Sequence, residues 1–141
     1  MAITFQAEGI VLPKIKKKET ANWIKTVANS YDRKVGEIAY LFCDDEKILE
    51  INRTWLQHDF YTDIITFDYS EEDTISGDIF ISIDTVRSNS QKYHTDFEEE
   101  FHRVIIHGIL HLCEVNDKTE EEEKEMREAE NSALNLLKNK M

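Results

Sequence analysis

Two histidines four positions apart are the residues of this 141-residue chain whose types and spacing best suit chemistry. His107 and His111 project from one face of a predicted helix and can reach a single ion. Asp117 follows where the chain leaves that helix and can fold back. Two imidazoles and a carboxylate form a common catalytic zinc set with one position open for water. The pattern predicts one zinc ion per chain, and the alternative is two unconnected histidines on an apolar helix.

The residue that follows the first histidine narrows the class of reaction. Metalloproteases of the H-E-x-x-H type place a general-base glutamate there, whereas this chain has Gly108. A protease of that type is therefore not expected. Because glycine inside a helix costs about 1 kcal/mol relative to alanine, Gly108 also predicts tight packing or a close approach to the helix at this point.

The histidine helix is one of about five helices that hydrophobic periodicity predicts, beside about four strands. The predicted strands are 2–8, 35–43, 63–69 and 77–83, and the predicted helices are 16–32, 44–56, 84–94, 95–113 and 119–139. The predicted helix N-caps are Asp44 or Asp45, Asp84, Thr95 and Thr119, the last two with a capping-box glutamate three residues later. This order of elements predicts an α+β fold, a single domain over residues 1–141 with a small, partly parallel mixed sheet.

The composition limits the partners and the compartment. A formal net charge of −12, from 29 acidic and 17 basic residues, opposes general coating of nucleic acid and binding to an anionic membrane. Two cysteines cannot form a disulfide framework and suit a reducing compartment. No stretch approaches the roughly 18 apolar residues of a membrane span, and the N-terminus lacks the pattern of a signal peptide. We expect a soluble, cytoplasmic protein with no membrane partner.

A dense basic run is the best candidate for phosphate contacts in this acidic chain, and the alternative is a solvated helix start. The run consists of Lys14, Lys16, Lys17 and Lys18. The acidic excess is concentrated elsewhere, since residues 96–130 hold 13 acidic and 4 basic residues. A local RNA-binding face on the side of the first helix is therefore compatible with the net charge, with weak and salt-sensitive binding to naked RNA.

Three blocks of the sequence resemble those of one family. The segment HGILHL, residues 107–112, is similar to the HGxLHLxGYDH signature of the YbeY family, bacterial metal-dependent endoribonucleases linked to ribosomal RNA maturation. Residues 52–67, NRTWLQHDFYTDIITF, resemble a second family block, and residues 77–79 resemble its GDI strand start. The blocks agree in order and spacing, and the resemblance covers nearly the whole chain.

This resemblance implies roles for the residues that match the family's motifs. His107 and His111 match the first two zinc-ligating histidines, and the third family histidine falls on Asp117, whose carboxylate can also bind zinc. Thr62 and Asp63 are implied to line the cleft near the metal. The alternative for Thr62 and Asp63 is a turn with a capping aspartate.

The chain departs from the family's pattern at two further positions that bear on catalysis. Leu56 stands where the family has an arginine thought to act on RNA, and Arg53, one turn earlier, is the candidate to replace it in the cleft. Glu114 stands where the family has glycine, so a left-handed turn there would be strained; the alternative is that Asn116 takes the left-handed conformation instead. Glu114 is the nearest candidate for a catalytic base beside a metal-activated water; the alternative is a solvated loop residue.

Together these features predict a zinc-dependent, single-strand-specific endoribonuclease acting in ribosomal RNA maturation and ribosome quality control. The expected partners are ribosomal RNA and the ribosome or its small-subunit proteins. Two alternatives stay open: a non-catalytic, ribosome-associated zinc-binding module, and a metal hydrolase acting on a small substrate. An open coordination position favours catalysis over the structural alternative, because a fourth protein ligand closes a structural zinc site.

Overall fold

The computed structural model describes residues 2–56 and 63–140. Its strands form one sheet and are β1 (Ala2–Ala7), β2 (Lys34–Cys43), β3 (Ile64–Asp68) and β4 (Thr74–Ser82). The strand order is β1-β2-β4-β3, with β1–β2 and β2–β4 parallel and β3–β4 antiparallel. The predicted mixed sheet is confirmed, and β3 lies at one of its edges.

The described part of the chain contains five α-helices, of which the first four contact the sheet and the last packs on the first and fourth. They are α1 (Lys17–Ser30), α2 (Asp45–Ile51), α3 (Ile83–Lys92), α4 (Phe97–Leu112) and α5 (Glu120–Lys140). A π-helical turn, Asn52–Leu56, continues α2. The predicted α+β fold is therefore confirmed. None of the helices among the described residues is both long and apolar enough to cross a membrane.

The main core lies between the sheet and the long helices. Alternate residues of β2 and β4 point into it and are almost fully buried: Ile38, Tyr40, Phe42, Ile75, Ile79 and Ile81. The Tyr40 hydroxyl donates to the Ile105 carbonyl at 2.8 Å, and the Trp23 indole donates to the Ala133 carbonyl at 2.7 Å. These two bonds satisfy polar atoms that burial would otherwise penalise, and they tie α4 to the sheet and α1 to α5.

The last strand begins earlier than the sequence predicts. β4 starts at Thr74 and not at Gly77, because its first residues pair in parallel with β2. The pairing passes from Val35↔Ile75 to Ile38↔Gly77, so β2 contains one extra residue at that point, as in a β-bulge. Hydrophobic patterning does not predict this strand start because Thr74 and Ser76 are polar. The connection between β3 and β4 is consequently shorter than predicted.

Two of the predicted helix caps are confirmed, and two are wrong. Asp44 accepts from the Lys47 N–H at 2.9 Å, and Thr119 and Glu122 form both bonds of a capping box at 3.1 Å. Ser82 rather than Asp84 caps α3, because its hydroxyl accepts from the Thr85 N–H.

Helix α4 begins without the predicted Thr95 capping box. Asp96 occupies its N-cap position and makes no side-chain cap bond. The Thr95 hydroxyl instead donates to the buried Glu100 carboxylate at 3.3 Å.

Both cysteines are buried free thiols. Burial raises the pKa of Cys43 to about 12 and that of Cys113 to about 11. Neither thiol is therefore prepared to act as a thiolate ligand or nucleophile near neutral pH. Cys113 is therefore a small buried residue rather than a ligand.

Candidate active site

A small open cleft lies between the C-terminal half of α4, the start of β3 and the turn after α4. Its volume is about 280 Å³, and it is lined by Asp63, Ile64, Thr66, His107, His111 and Asp117. Strand β3 forms one wall because it is the edge strand next to β4. The cleft thus gathers both predicted histidines and two carboxylates into one polar depression.

Close packing at Gly108 brings α4 to this position. A Cβ atom built at Gly108 would lie 3.0 Å from Ile79 Cδ1 and 3.2 Å from Ile64 Cδ1. The helix therefore approaches β3 and β4 more closely than a residue with a side chain would comfortably allow. This close approach explains why a glycine lies in the helix between His107 and His111, and it confirms the tight packing predicted at Gly108.

The imidazole of His107 contacts a carboxylate at each ring nitrogen. Its Nδ1 lies 2.7 Å from Glu130 Oε2, and its Nε2 lies 3.4 Å from Asp117 Oδ2. Burial alone would lower the pKa of His107, but the hydrogen bond and charge of Glu130 raise it overall. Glu130 Oε1 in turn accepts a hydrogen bond from Arg103 Nη1 at 3.0 Å. Burial opposes ionisation of Glu130, yet the bonds from His107 and Arg103 lower its pKa.

The distance between His107 and Asp117 suits a shared metal ion. Two ligand atoms bound at about 2.0–2.1 Å in tetrahedral geometry lie roughly 3.3 Å apart, close to the 3.4 Å between His107 Nε2 and Asp117 Oδ2. Within residues 2–56 and 63–140, no three His, Cys, Asp or Glu side chains are already arranged as a metal-binding group. His111 lines the same cleft without completing such a group. The donor chemistry therefore fits a divalent cation, with one close pair of candidate ligands and a third candidate on the cleft wall.

Asp63 lies in the cleft wall just before β3. Its carbonyl accepts from the Ser82 N–H at 3.0 Å, which fixes the backbone against the end of β4. Burial raises the pKa of its carboxyl, and the charge of His107 only partly offsets that effect. Thr62, the other residue that the resemblance places in the cleft, lies outside the described residues.

Leu56 replaces the family arginine, and Arg53 is the candidate to substitute for it. Arg53 is exposed on the π-helical turn and is not among the residues that line the cleft. The side chain of Leu56 lies outside the described part of the chain. Arg53 as a substitute for the family arginine stays a prediction.

Glu114 occupies the turn that ends α4. The Glu114 N–H bonds to the His111 carbonyl and the Val115 N–H to the Leu110 carbonyl, both at 3.0 Å, which is a Schellman motif. Glu114 has a φ of 69° there, at the position where glycine is preferred. Its carboxylate, 78% exposed, pairs with Arg33 at 3.1 Å and does not line the cleft. A role for Glu114 as a base stays a prediction that this placement does not favour.

The lysine run lies away from the histidines. Lys14 and Lys16 line a groove with Phe97 and His102, at the N-terminal half of α4. At 1.5 Å per residue, Phe97 and His111 are about 20 Å apart along this helix. Lys17 and Lys18 are exposed at the start of α1. The structure does not bring the run into the cleft, so lysine contacts with RNA would have to involve nucleotides distant from the histidines.

Sequence reasoning missed Glu130 and Arg103. Glu130 is buried on the inner face of α5, among Met126, Ala133, Leu134 and Leu137. Burying a carboxylate within the apolar stripe of a helix costs free energy unless the charge is paired. The position of Glu130 within such a stripe could therefore have identified it from the sequence. No comparable signal marks Arg103, whose partner lies on another helix.

The fold and the cleft define a class: a small α+β domain with paired imidazoles and carboxylates at a sheet edge, suited to hydrolysis. The family model described as "Endoribonuclease YbeY" matches residues 4–138. The chain belongs to the endoribonuclease YbeY family, which confirms the resemblance and the assignment to hydrolases that act on RNA.

Relatives of known name agree with this membership. The chain is 62% identical to "Endoribonuclease YbeY" of Bacteroides fragilis, over 98% of this chain and 99% of that protein. It is 54% identical to the protein of that name from Porphyromonas gingivalis, over 96% of this chain and 90% of that protein. The solution structure of a Thermotoga maritima protein matches with a TM-score of 0.66 at 24% identity, covering 99% of this chain and 93% of the other. This last likeness concerns the fold alone.

Proposed function

We propose that this chain is a zinc-dependent endoribonuclease that cleaves single-stranded RNA during ribosomal RNA maturation and ribosome quality control, in the cytoplasm. The observation that carries the proposal is the 3.4 Å approach of His107 Nε2 to Asp117 Oδ2 in a cleft that His111 also lines. Membership of the endoribonuclease YbeY family supplies the reaction class. Ribosomal RNA is the proposed substrate, and the ribosome or its small-subunit proteins are the proposed partners.

Three side chains would hold the metal: His107 through Nε2, His111, and Asp117 through its carboxylate. When bound there, zinc supplies an activated water and stabilises charge on phosphoryl oxygens. Because these would be three protein ligands, a fourth position would stay open for water or RNA, as catalytic sites require. The buried, unreactive Cys113 does not line the cleft and would not close that position.

Asp63 is the cleft carboxyl best placed to exchange a proton with the reacting groups. It shares the cleft with the histidines, and burial raises the pKa of its carboxyl. A raised pKa makes a carboxyl more effective in proton transfer near neutral pH. Asp63 would therefore move a proton during phosphodiester cleavage, whereas Glu114 is occupied with Arg33.

Metal analysis and RNA cleavage together test the proposal. We expect about one zinc per wild-type chain, and loss of bound zinc in His111→Ala and in Asp117→Ala. We also expect cleavage of labelled single-stranded RNA, little cleavage of duplex RNA, loss of activity with a chelator, and recovery when zinc is added. Glu128→Gln, which changes an exposed glutamate of α5 that does not line the cleft, is the matched carboxylate control and should retain both zinc and activity.

Three results would contradict parts of this proposal. If Asp117→Ala keeps its zinc, Asp117 is not the third ligand. Zinc binding without any RNA cleavage would favour the non-catalytic, ribosome-associated module. Cleavage that a chelator leaves unchanged would exclude metal dependence altogether.

A further inference from the structure

We propose that Glu130 is a positioning residue that fixes the tautomer of His107, with Arg103 holding Glu130 in place. The consequence for metal binding rests on the proposed function. The tautomer itself does not, because it exists in the metal-free chain. Neither Glu130 nor Arg103 lies in the three blocks that resemble the family, residues 52–67, 77–79 and 107–112.

The hydrogen bonds determine which nitrogen of His107 carries the proton. The Glu130 carboxylate accepts at Oε2, so His107 Nδ1, at 2.7 Å, must be the donor when the ring is neutral. The lone pair of the neutral ring then lies on Nε2, the atom 3.4 Å from Asp117 Oδ2 in the cleft. A metal ligand must present a lone pair, and carboxylates bonded to the far nitrogen commonly orient ligating histidines. Glu130 thus prepares His107 to bind a cation from the cleft side.

The other carboxylate oxygen of Glu130, Oε1, is held by a hydrogen bond from Arg103. The Glu130 side chain is 8% exposed, and Arg103 Nη1 donates to Oε1 at 3.0 Å. Arg103 is 15% exposed and is anchored in turn by Asn131 Oδ1 at 2.9 Å. Because each Glu130 oxygen has its own donor, the carboxylate cannot rotate without breaking a charge-assisted bond in a buried position.

The two separate donors make Glu130→Gln a directional test. The amide has one oxygen, and Arg103 can only donate, so the oxygen must face Arg103. The amide NH2 group then faces His107 Nδ1 and donates to it. That reversal moves the ring proton to Nε2 and removes the lone pair from the cleft. A purely structural contact would give a loss of stability without any reversal of tautomer.

Nitrogen NMR of histidine-labelled, metal-free chain measures the tautomer directly, at an alkaline pH where the ring is neutral. We expect His107 to carry its proton on Nδ1 in the wild type and on Nε2 in Glu130→Gln. The matched control is Glu128→Gln, which changes an exposed glutamate of the same helix and should leave the wild-type tautomer. Zinc affinity, measured by competition with a chelating dye, should fall about 10- to 100-fold in Glu130→Gln only.

A second variant keeps the test decisive if Glu130→Gln does not fold. Glu130→Asp preserves the charge beside Arg103 but withdraws the carboxylate from Nδ1, so we expect mixed tautomers and weaker zinc binding. The wild-type tautomer in either folded variant, or unchanged zinc affinity, would overturn the inference. An absence of RNA cleavage in the wild type would contradict the proposed function and leave the tautomer result standing.

Discussion

At His107 a single imidazole joins two carboxylates with different surroundings. Glu130, at Nδ1, has a side chain 8% exposed, whereas Asp117, near Nε2, is 39% exposed. The buried carboxylate is rigidly paired and holds the ring, and the half-exposed one faces the cleft. Under the proposal above, the two nitrogens have separate roles: Nδ1 would orient the ring, and Nε2 would bind the metal.

The pKa of His102, five residues earlier on the same helix, is shifted in the opposite direction to that of His107, which Glu130 raises. His102 packs edge-on against Trp23 with the ring centroids 5.8 Å apart. Burial lowers the pKa of His102, and the charge of Glu98 only partly offsets this. The folded protein therefore resists protonation of a histidine that the unfolded chain protonates readily.

This difference predicts an acid-dependent loss of stability. As the pH falls below about 6.5, the unfolded chain binds a proton at His102 before the folded chain does, so the free energy of unfolding decreases. Above that pH both states are neutral at His102, and the effect is absent. We expect His102→Asn to lose less free energy of unfolding than the wild type between about pH 7 and pH 5, measured by urea denaturation. Exposed His94→Asn is the control, and equal losses in wild type and His102→Asn would refute the prediction.

At the scale of elements, the end of α4 determines where Asp117 can lie. The Schellman motif reverses the chain after Leu112, and Glu114 takes the left-handed conformation with φ of 69°. Left-handed backbone costs roughly 1–2 kcal/mol for residues with a Cβ atom. The chain accepts this strain at a turn that delivers Asp117 to the cleft containing His107.

Two substitutions at Glu114 isolate the backbone strain. Both Glu114→Gly and Glu114→Ala remove the exposed ion pair with Arg33, but only glycine adopts the left-handed turn without strain. We expect the glycine variant to be more stable than the alanine variant by about 1 kcal/mol in urea denaturation. Equal stability of the two variants would show that the turn imposes no measurable strain.

At the scale of the whole molecule, charge is distributed unevenly. Acidic residues are concentrated on α4 and α5, whereas the lysine run lies before and at the start of α1. Part of that run lines the groove at the far end of α4 from the histidine cleft. RNA that contacts both regions would have to extend along α4, and the acidic helices would repel RNA elsewhere.

Salt dependence should reveal whether the lysine run contacts RNA. Replacing Lys14, Lys16, Lys17 and Lys18 together with glutamine should weaken single-stranded RNA binding. It should also reduce the slope of log affinity against log salt by up to about 3, since each phosphate contact contributes roughly 0.7. The measurement is fluorescence anisotropy with a labelled oligonucleotide over a salt series.

The control for this experiment replaces four exposed lysines that are scattered over the fold. They are Lys25, Lys34, Lys92 and Lys124. Both variants change the net charge equally, so only a local contact distinguishes them. If both weaken binding and the slope to the same extent, the lysine run has no special role.

Local patterns in the sequence determined the order of the elements and the pairing of His107 with His111, because helical and strand periodicities depend on neighbours along one element. The same holds for the Thr119–Glu122 capping box, whose partners are three residues apart. Tertiary structure alone decided that β4 lies between β2 and β3, and that β3 walls the cleft. It also brought Arg103 and His107 of α4 to Glu130 of α5, across 27 and 23 residues of chain. Such partners are selected by packing between elements, and no local pattern records which distant side chain will satisfy a buried charge.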